Sequence, residues 1–344
     1  MTRWAVVLAG GVGSRFWPLS TPDRPKQLLP LVNSDPLLVN TLRRLEPIVP
    51  PERTLILTNA SLTDAVAAIA PNLPRENIIA EPKPAGTAAA LTWAALEIER
   101  RDGPDAAMLC VHADWAIGDD TGFRETLLAA ERVAREEEAL VTVGVVPTRP
   151  DPGFGYIEPG AETGTSSRVV TRFVEKPTRE KAEMMMHNGY LWNSGIFVWT
   201  AGTFLMEVRA HTPEVAAALK AAESGLEAFF AAVKPISVDV GVMERSSRVR
   251  VLAGDFGWDD VGTWGALRRV KPEDAEGNVS SGTVHALDSR GNVVHAEGNT
   301  VVLYGVSDLV VVTRDGLTLV TTTDKSADLK ALFSSLPPEM LESK

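Results

Sequence analysis

Three glycines and two cations stand close together near the start of the chain. Gly10, Gly11 and Gly13 directly follow an apolar run over residues 4–9, and Arg15 and Lys26 come after them. Glycine lets the backbone turn sharply and approach a ligand with no side chain in the way. Successive N–H groups in such a turn can face phosphate oxygens. Two better-known glycine loops do not fit. A dinucleotide fingerprint lacks its third glycine, because Phe16 and Pro18 occupy the two candidate positions. A Gly-Lys-Ser/Thr triplet is absent. On the glycines alone, a plain strand-to-loop turn and a phosphate cradle are equally supported. Arg15, Pro18, Pro25 and Lys26 at their offsets favour the cradle.

Other polar residues sit at the ends of apolar runs. Glu81 ends residues 77–81, Asp114 follows residues 106–111, Lys176 follows residues 169–174, and Asn193 interrupts residues 190–199. Each has a bland reading. Glu81 would be a solvated strand-end carboxylate, Asp114 a turn or cap residue, Lys176 an exposed cation and Asn193 a bulge residue. For Glu81 the residue alone favours the bland reading.

The elements that would position these residues alternate. Short apolar strands and helical stretches follow one another through residue 146, including an Ala-rich helix over 85–100 opened by Gly86-Thr87 and an amphipathic one over 123–138. Ser61-Leu-Thr-Asp64 has the form of a capping box. Alternation at this spacing predicts an α/β fold, a Rossmann-like doubly wound, mostly parallel sheet. Ligands of such sheets bind beyond the carboxyl ends of the strands. After Lys271-Pro272 the composition changes to short β-branched runs separated by Gly, Asp and Asn. This predicts a catalytic domain over 1–270. A small all-β domain over 271–344 would follow, compatible with a β-helix although its repeat is irregular, with a terminal helix over 327–336. The 344 residues carry a net charge of −11, which argues against nucleic acid or an anionic membrane as partner. The single cysteine, Cys110, lies in an apolar run and can form no internal disulfide. No run reads as a signal peptide or a membrane span, so a cytoplasmic protein is expected.

The stretch Gly10-Gly-Val-Gly-Ser-Arg-Phe-Trp-Pro-Leu-Ser20, followed by Arg24-Pro-Lys-Gln27, resembles the signature of sugar-phosphate nucleotidyltransferases. Phe16-Trp17 and Lys26-Gln27 resemble its mannose-1-phosphate guanylyltransferase branch. Further motifs agree: Glu81-Pro-Lys-Pro-Ala-Gly-Thr-Ala-Ala, Gly153-Phe-Gly-Tyr, Phe173-Val-Glu-Lys-Pro177, Trp192-Asn-Ser-Gly195 and Trp258-Asp-Asp-Val-Gly-Thr-Trp264. The resemblance covers residues 3–270 by motif and the remainder only as a general pattern. The chain departs from it at Gly86, where Asn is usual, at Phe154, where Tyr is common, and around Asp114, where His112 and Trp115 replace the usual neighbours.

The resemblance implies transfer of a guanylyl group from GTP to mannose 1-phosphate, giving GDP-mannose and pyrophosphate. It implies catalytic roles for Arg15, Lys26 and Lys176, and nucleotide contacts from Leu8, Gly10, Gly11, Gly13, Glu81, Gly86 and Thr87. Sugar contacts would come from Gly155, Glu175 and Asn193, and Mg²⁺ ligands from Asp114 and Asp260, with Asp259 standing where relatives carry Ser. Mg²⁺ suits one or two carboxylates plus substrate phosphates. Two alternatives stand beside this reading. One is the same chemistry on another hexose 1-phosphate or nucleotide; the other is a non-catalytic nucleotide-sugar-binding subunit. A homodimer through the C-terminal β domain is expected from its strand edges.

Overall fold

The computed structural model describes residues 2–11, 13–337 and 340. They form two compact units. One comprises residues 2–10, Leu42–His112 and Asp119–Phe256; the other comprises residues 11, 13–41, Ala113–Gly118, 257–337 and 340. The expected boundary at 270/271 marks a change of composition. In the contact pattern, residues 257–270 cluster with the C-terminal strands, because Trp264 and Leu267 share a core with Val279, Val293 and Val310. Residues 338, 339 and 341–344 of the expected C-terminal domain lie outside the described residues.

The first unit holds a nine-stranded sheet of β1 (Arg3–Leu8), β2 (Thr54–Asn59), β3 (Ile78–Glu81), β4 (Ala107–His112), β5 (Leu140–Val145), β6 (Tyr156–Glu162), β7 (Arg168–Val174), β8 (Leu191–Thr200) and β9 (Val249–Gly254). Their order is β3-β2-β1-β4-β8-β5-β9-β7-β6. β1, β2, β4 and β5 are buried along almost their whole length. That is why they read as continuous apolar runs rather than alternating ones. β1 pairs in parallel with β2 and β4, and β2 with β3. The carboxyl ends at Leu8, Asn59, Glu81 and His112 therefore lie along one edge, as the sequence predicts. β5 and β9 are also parallel. The expected α/β class is formed, with antiparallel strands added to the parallel set. β8 runs antiparallel to β4 and β5, and β6 to β7. Only residues 163–167 separate β6 from β7, too few for a parallel crossover.

Helices Thr87–Asp102 and Ala201–His211 pack against this sheet. Ala88, Ala89, Ala90, Ala94 and Ala95 give the first of them a small-residue face. Asp119 caps helix Asp120–Glu136 by accepting from the N–H groups of Thr121 and Gly122, each at 3.0 Å. The capping box expected at Ser61 does not form. Ser61 falls inside a 3-10 turn, Ala60–Leu62, and the Thr63 hydroxyl donates back to the Ala60 carbonyl at 2.9 Å.

The second unit holds β10 (Val279–Leu287), β11 (Val293–Tyr304), β12 (Leu309–Arg314) and β13 (Leu317–Thr322), in that order. β10 and β12 each pair in parallel with β11, the β10–β11 register shifting between Ser281 and Thr283, and β13 closes antiparallel on β12. Val279, Val293 and Val310 stack as one buried row. Beside it Asn292 donates to the Asn278 side chain at 2.9 Å. Stacked parallel strands with an asparagine step are the geometry of a solenoid. The glycine-loop segment packs onto this core through Phe16, whose ring lies 5.1 Å from that of Trp264. The terminal helix is shorter than expected, a 3-10 turn at Lys325–Ala327 followed by Lys330–Phe333.

Candidate active site

In the second unit the glycine loop, Asp114 and Asp260 converge on one lysine. Gly13 adopts φ +63°, and a Cβ there would overlap the Lys26 side chain. Only glycine allows the loop to lie this close to the lysine. Lys26 is 5% exposed. Its Nζ donates to Asp114 Oδ2 at 3.0 Å and to the Asp260 carbonyl at 2.6 Å. Asp114 and Asp260 are brought together by a short antiparallel bridge. Ala116 and Asp259 exchange backbone hydrogen bonds of 2.9 and 3.0 Å, and Trp115 meets Trp258 edge-on.

Burial raises the Asp260 carboxyl above the usual carboxylate range. The charges of Lys26 and Arg15 act against that rise, while Asp259 adds to it. A Cβ at Gly262 would lie 3.4 Å from Arg15 Nη1 and 2.5 Å from Asp260 Oδ2, so the two charged groups flank that glycine. The Gly262 N–H donates to Asp260 Oδ1 at 3.2 Å. One neighbour was not foreseen. Asp259 is clamped by Arg269, at 2.6 Å from Nε and 3.0 Å from Nη2, and accepts from the Val261 N–H at 2.9 Å. The pair, a buried carboxylate held by a part-exposed arginine, is structural, and an arginine ten residues downstream carries no sequence signal for it.

Among the described residues no group of three or more His, Cys, Asp or Glu side chains has metal-binding geometry. Two carboxylates, one of them desolvated, match a hard cation that takes its other ligands from phosphates and water. The donor set therefore fits a divalent cation of that kind.

In the first unit the predicted residues form two groups. Glu81 closes β3 opposite Asn59. A Cβ on Gly10 would lie 3.6 Å from Glu81 Oε1, so the bare glycine leaves the carboxyl room. Desolvation by burial raises the Glu81 carboxyl to about 7. Leu8 is buried in β1. Gly86, at φ +81°, has the Ile236 carbonyl where a Cβ would go, so no Asn side chain fits in this backbone. The Thr87 hydroxyl accepts from the Val238 N–H at 2.9 Å and holds the 236–238 segment against the helix start.

Gly155, Glu175 and Asn193 form the other group. The Asn193 N–H donates to the Gly155 carbonyl at 2.8 Å. A Cβ at Gly155 would lie 2.9 Å from Glu175 Oε2 and 3.4 Å from Asn193 Cβ. Asn193 sits where the β5–β8 register slips, a bulge that aims its side chain out of the ladder. Lys176, at φ +42°, pairs with Glu175 at 2.8 Å on the surface. Asp239 was missed by sequence reasoning; it accepts from Asn193 Nδ2 at 2.8 Å.

The nucleotidyl transferase family profile matches residues 4–277. A mannose-1-phosphate guanylyltransferase of Klebsiella pneumoniae is 36% identical over 341 residues, covering 94% of this chain and 72% of the relative. One from Escherichia coli K12 is 37% identical over 351 residues, covering 97% and 73%. A crystal structure from Thermus thermophilus, described as a mannose-1-phosphate geranyltransferase, superposes with a TM-score of 0.89 at 38% identity, over 97% of this chain and 99% of that one. The chain belongs to the nucleotidyl transferase family, on the branch whose relatives are mannose-1-phosphate guanylyltransferases.

Proposed function

We propose that the protein joins GTP to α-D-mannose 1-phosphate, forming GDP-mannose and releasing pyrophosphate. A phosphate oxygen of the sugar phosphate attacks the α-phosphorus of GTP in line. The new P–O bond forms as the bond to pyrophosphate breaks, and no protein nucleophile intervenes. Such transfers depend on positioning and charge stabilisation. The observation that carries this reading is the buried ammonium of Lys26, held by the Asp114 carboxylate and the Asp260 carbonyl behind the Gly13 turn.

Most of the predicted residues then have a task. Backbone N–H groups of Gly10, Gly11 and Gly13 receive phosphate oxygens. Arg15 and Lys26 stabilise charge that develops on pyrophosphate. Glu81 reads the guanine edge, Lys176 holds the sugar phosphate, and Gly155, Glu175 and Asn193 face the sugar. Asp114 and Asp260 would hold Mg²⁺, which when bound supplies positive charge to the phosphates. Thr87 serves the nucleotide subsite indirectly, by fixing the helix start.

A panel of sugar phosphates and nucleoside triphosphates, followed by pyrophosphate release, tests the reading. Turnover should be fastest with mannose 1-phosphate and GTP and should stop with chelator. Preference for another pair, or turnover undiminished by chelator, would overturn the corresponding assignment.

The reading includes a cytoplasmic homodimer. Among the described residues no helix is long and apolar enough to cross a membrane. β10 is an edge strand, and Leu287, Val302 and Tyr304 stand 54%, 66% and 71% exposed on neighbouring β10 and β11 positions. A second copy covering them would remove both the edge and the apolar patch. Tyr304→Lys should shift a dimer toward monomer in sedimentation; an unchanged mass would reject this face.

A further inference from the structure

Asp239 opens a π-helical turn, Asp239–Met243, in the first unit, a kind of irregularity often kept at functional positions. Its Oδ1 accepts from Asn193 Nδ2 at 2.8 Å. A carboxylate can only accept, so the nitrogen end of the Asn193 amide is the end that belongs there. On the other side of the amide, the Gly195 N–H donates to Asn193 Oδ1 at 3.3 Å. Both ends of one side chain are therefore specified, and one N–H and one oxygen lone pair are left over. Gly155 lies alongside, with Glu175 Oε2 across the space that a Cβ would fill. Glu244 shows how close the carboxylates stand: burial first, then the charges of Asp239 and Glu175, raise its carboxyl above the usual range.

We propose that Asp239 is a specificity-determining positioning residue for the sugar. By holding the Asn193 amide in a single orientation, it decides which sugar hydroxyl meets a donor and which meets an acceptor. The inference rests on the sugar subsite assigned above and adds the device that gives it a fixed polarity. An amide free to rotate would present donor and acceptor in either order and would discriminate epimers poorly.

The test uses the full-length enzyme and separate KM values for mannose 1-phosphate and GTP. Asp239→Asn keeps the shape but can donate as well as accept, so the neighbouring amide is free to reverse. KM for mannose 1-phosphate should rise about tenfold while KM for GTP stays within about twofold, since one misplaced hydrogen bond is of that order. Preference for mannose 1-phosphate over glucose 1-phosphate should narrow as well. Because Asp239 acts through Asn193, adding Asp239→Asn to Asn193→Ala should cost nothing further. An unchanged KM, an equal rise in both KM values, or additive losses would overturn the proposal. If Asp239→Asn fails to fold, Asp239→Ser decides. Its hydroxyl can donate as well as accept and leaves the Asn193 amide free to reverse, so KM for mannose 1-phosphate should rise while KM for GTP holds; an unchanged KM for mannose 1-phosphate counts against the inference. Wild-type enzyme that turned over no hexose 1-phosphate would defeat the functional reading and this inference with it. Normal wild-type turnover with indifferent variants would defeat this inference alone.

Discussion

If Glu81 reads the guanine edge as proposed, its carboxyl makes that recognition depend on pH in a calculable way. Burial raises it from an ordinary 4.5 to about 7. Only the ionised form accepts both the N1–H and the 2-amino group of guanine, because a protonated carboxyl has turned one oxygen into a donor. With a value near 7, roughly a tenth of the empty protein is ionised at about pH 6 and roughly nine tenths at about pH 8, which makes apparent affinity differ about tenfold. KM for GTP should therefore fall about tenfold as pH rises across that interval, with a proton released on binding. The stability of the empty protein moves the other way. Its folded value lies above the unfolded one, so the cost of ionising Glu81 is absent below 4.5, grows through the interval and is complete above 7. The assay is KM for GTP against pH in wild type and Glu81→Gln. Ionisation of GTP itself is common to both proteins and divides out of the ratio. Glu81→Gln should have a raised KM at high pH, a reduced preference over UTP, and a ratio to wild type that closes toward acid. Parallel profiles would refute the reasoning and give base recognition to backbone groups instead.

Asp260→Asn should abolish turnover with thermal stability retained, since it removes one of two carboxylates proposed for Mg²⁺; near-normal Mg²⁺-dependent rates would sink that assignment. Asp259→Ser should keep its turnover but lose about 1 kcal/mol of stability with the part-exposed Arg269 pair, seen in denaturant titration; a dead but stable variant would mean the wrong carboxylate had been chosen. Gly13→Ala should lower both kcat and the melting temperature, because positive φ and the Lys26 side chain both oppose a Cβ; full activity would make the turn incidental. Lys26→Arg should cost about a hundredfold in kcat, because a planar guanidinium does not reproduce a buried point charge; wild-type rates would show that charge alone suffices there.

Much of the fold was legible in the residues, for physical reasons. β1, β2 and β4 are covered on both faces, so their apolar runs are unbroken. That pattern located the carboxyl edge and hence Glu81. Gly13 was legible because its absent side chain is a geometric necessity beside Lys26. What escaped was long-range and side-chain-borne. The Asn193–Asp239 contact spans 46 residues, and nothing local to a Val-Asp-Val sequence announces it. Asp259 was read from its place in a motif, but its burial against Arg269 depends on where the following helix turns. The capping box at Ser61 failed because a 3-10 turn intercepts the helix start, a choice between two local structures of similar cost.

The charge balance of the second-unit cluster bears on how an acidic chain would handle two anionic substrates. The protein carries −11 overall, so its long-range field repels triphosphate. Lys26 and Arg15 set against Asp114 and Asp260 give two cations and two carboxylates, a locally neutral group. Neutrality keeps the empty cluster folded, because each carboxylate is near a cation and the repulsion between them is offset. It also leaves no net charge to attract phosphate beyond the dipoles of the glycine-loop N–H groups. On the proposed reading a divalent ion supplies the missing charge, and the same residues that kept the cluster neutral then face a net positive centre. Affinity for the nucleotide should accordingly be conditional on the metal. A chain with the carboxylates removed and the cations kept would bind triphosphate without metal while losing its turnover. The arrangement thus separates holding the anion from reacting with it, and the separation rests on the one buried lysine that touches both aspartates.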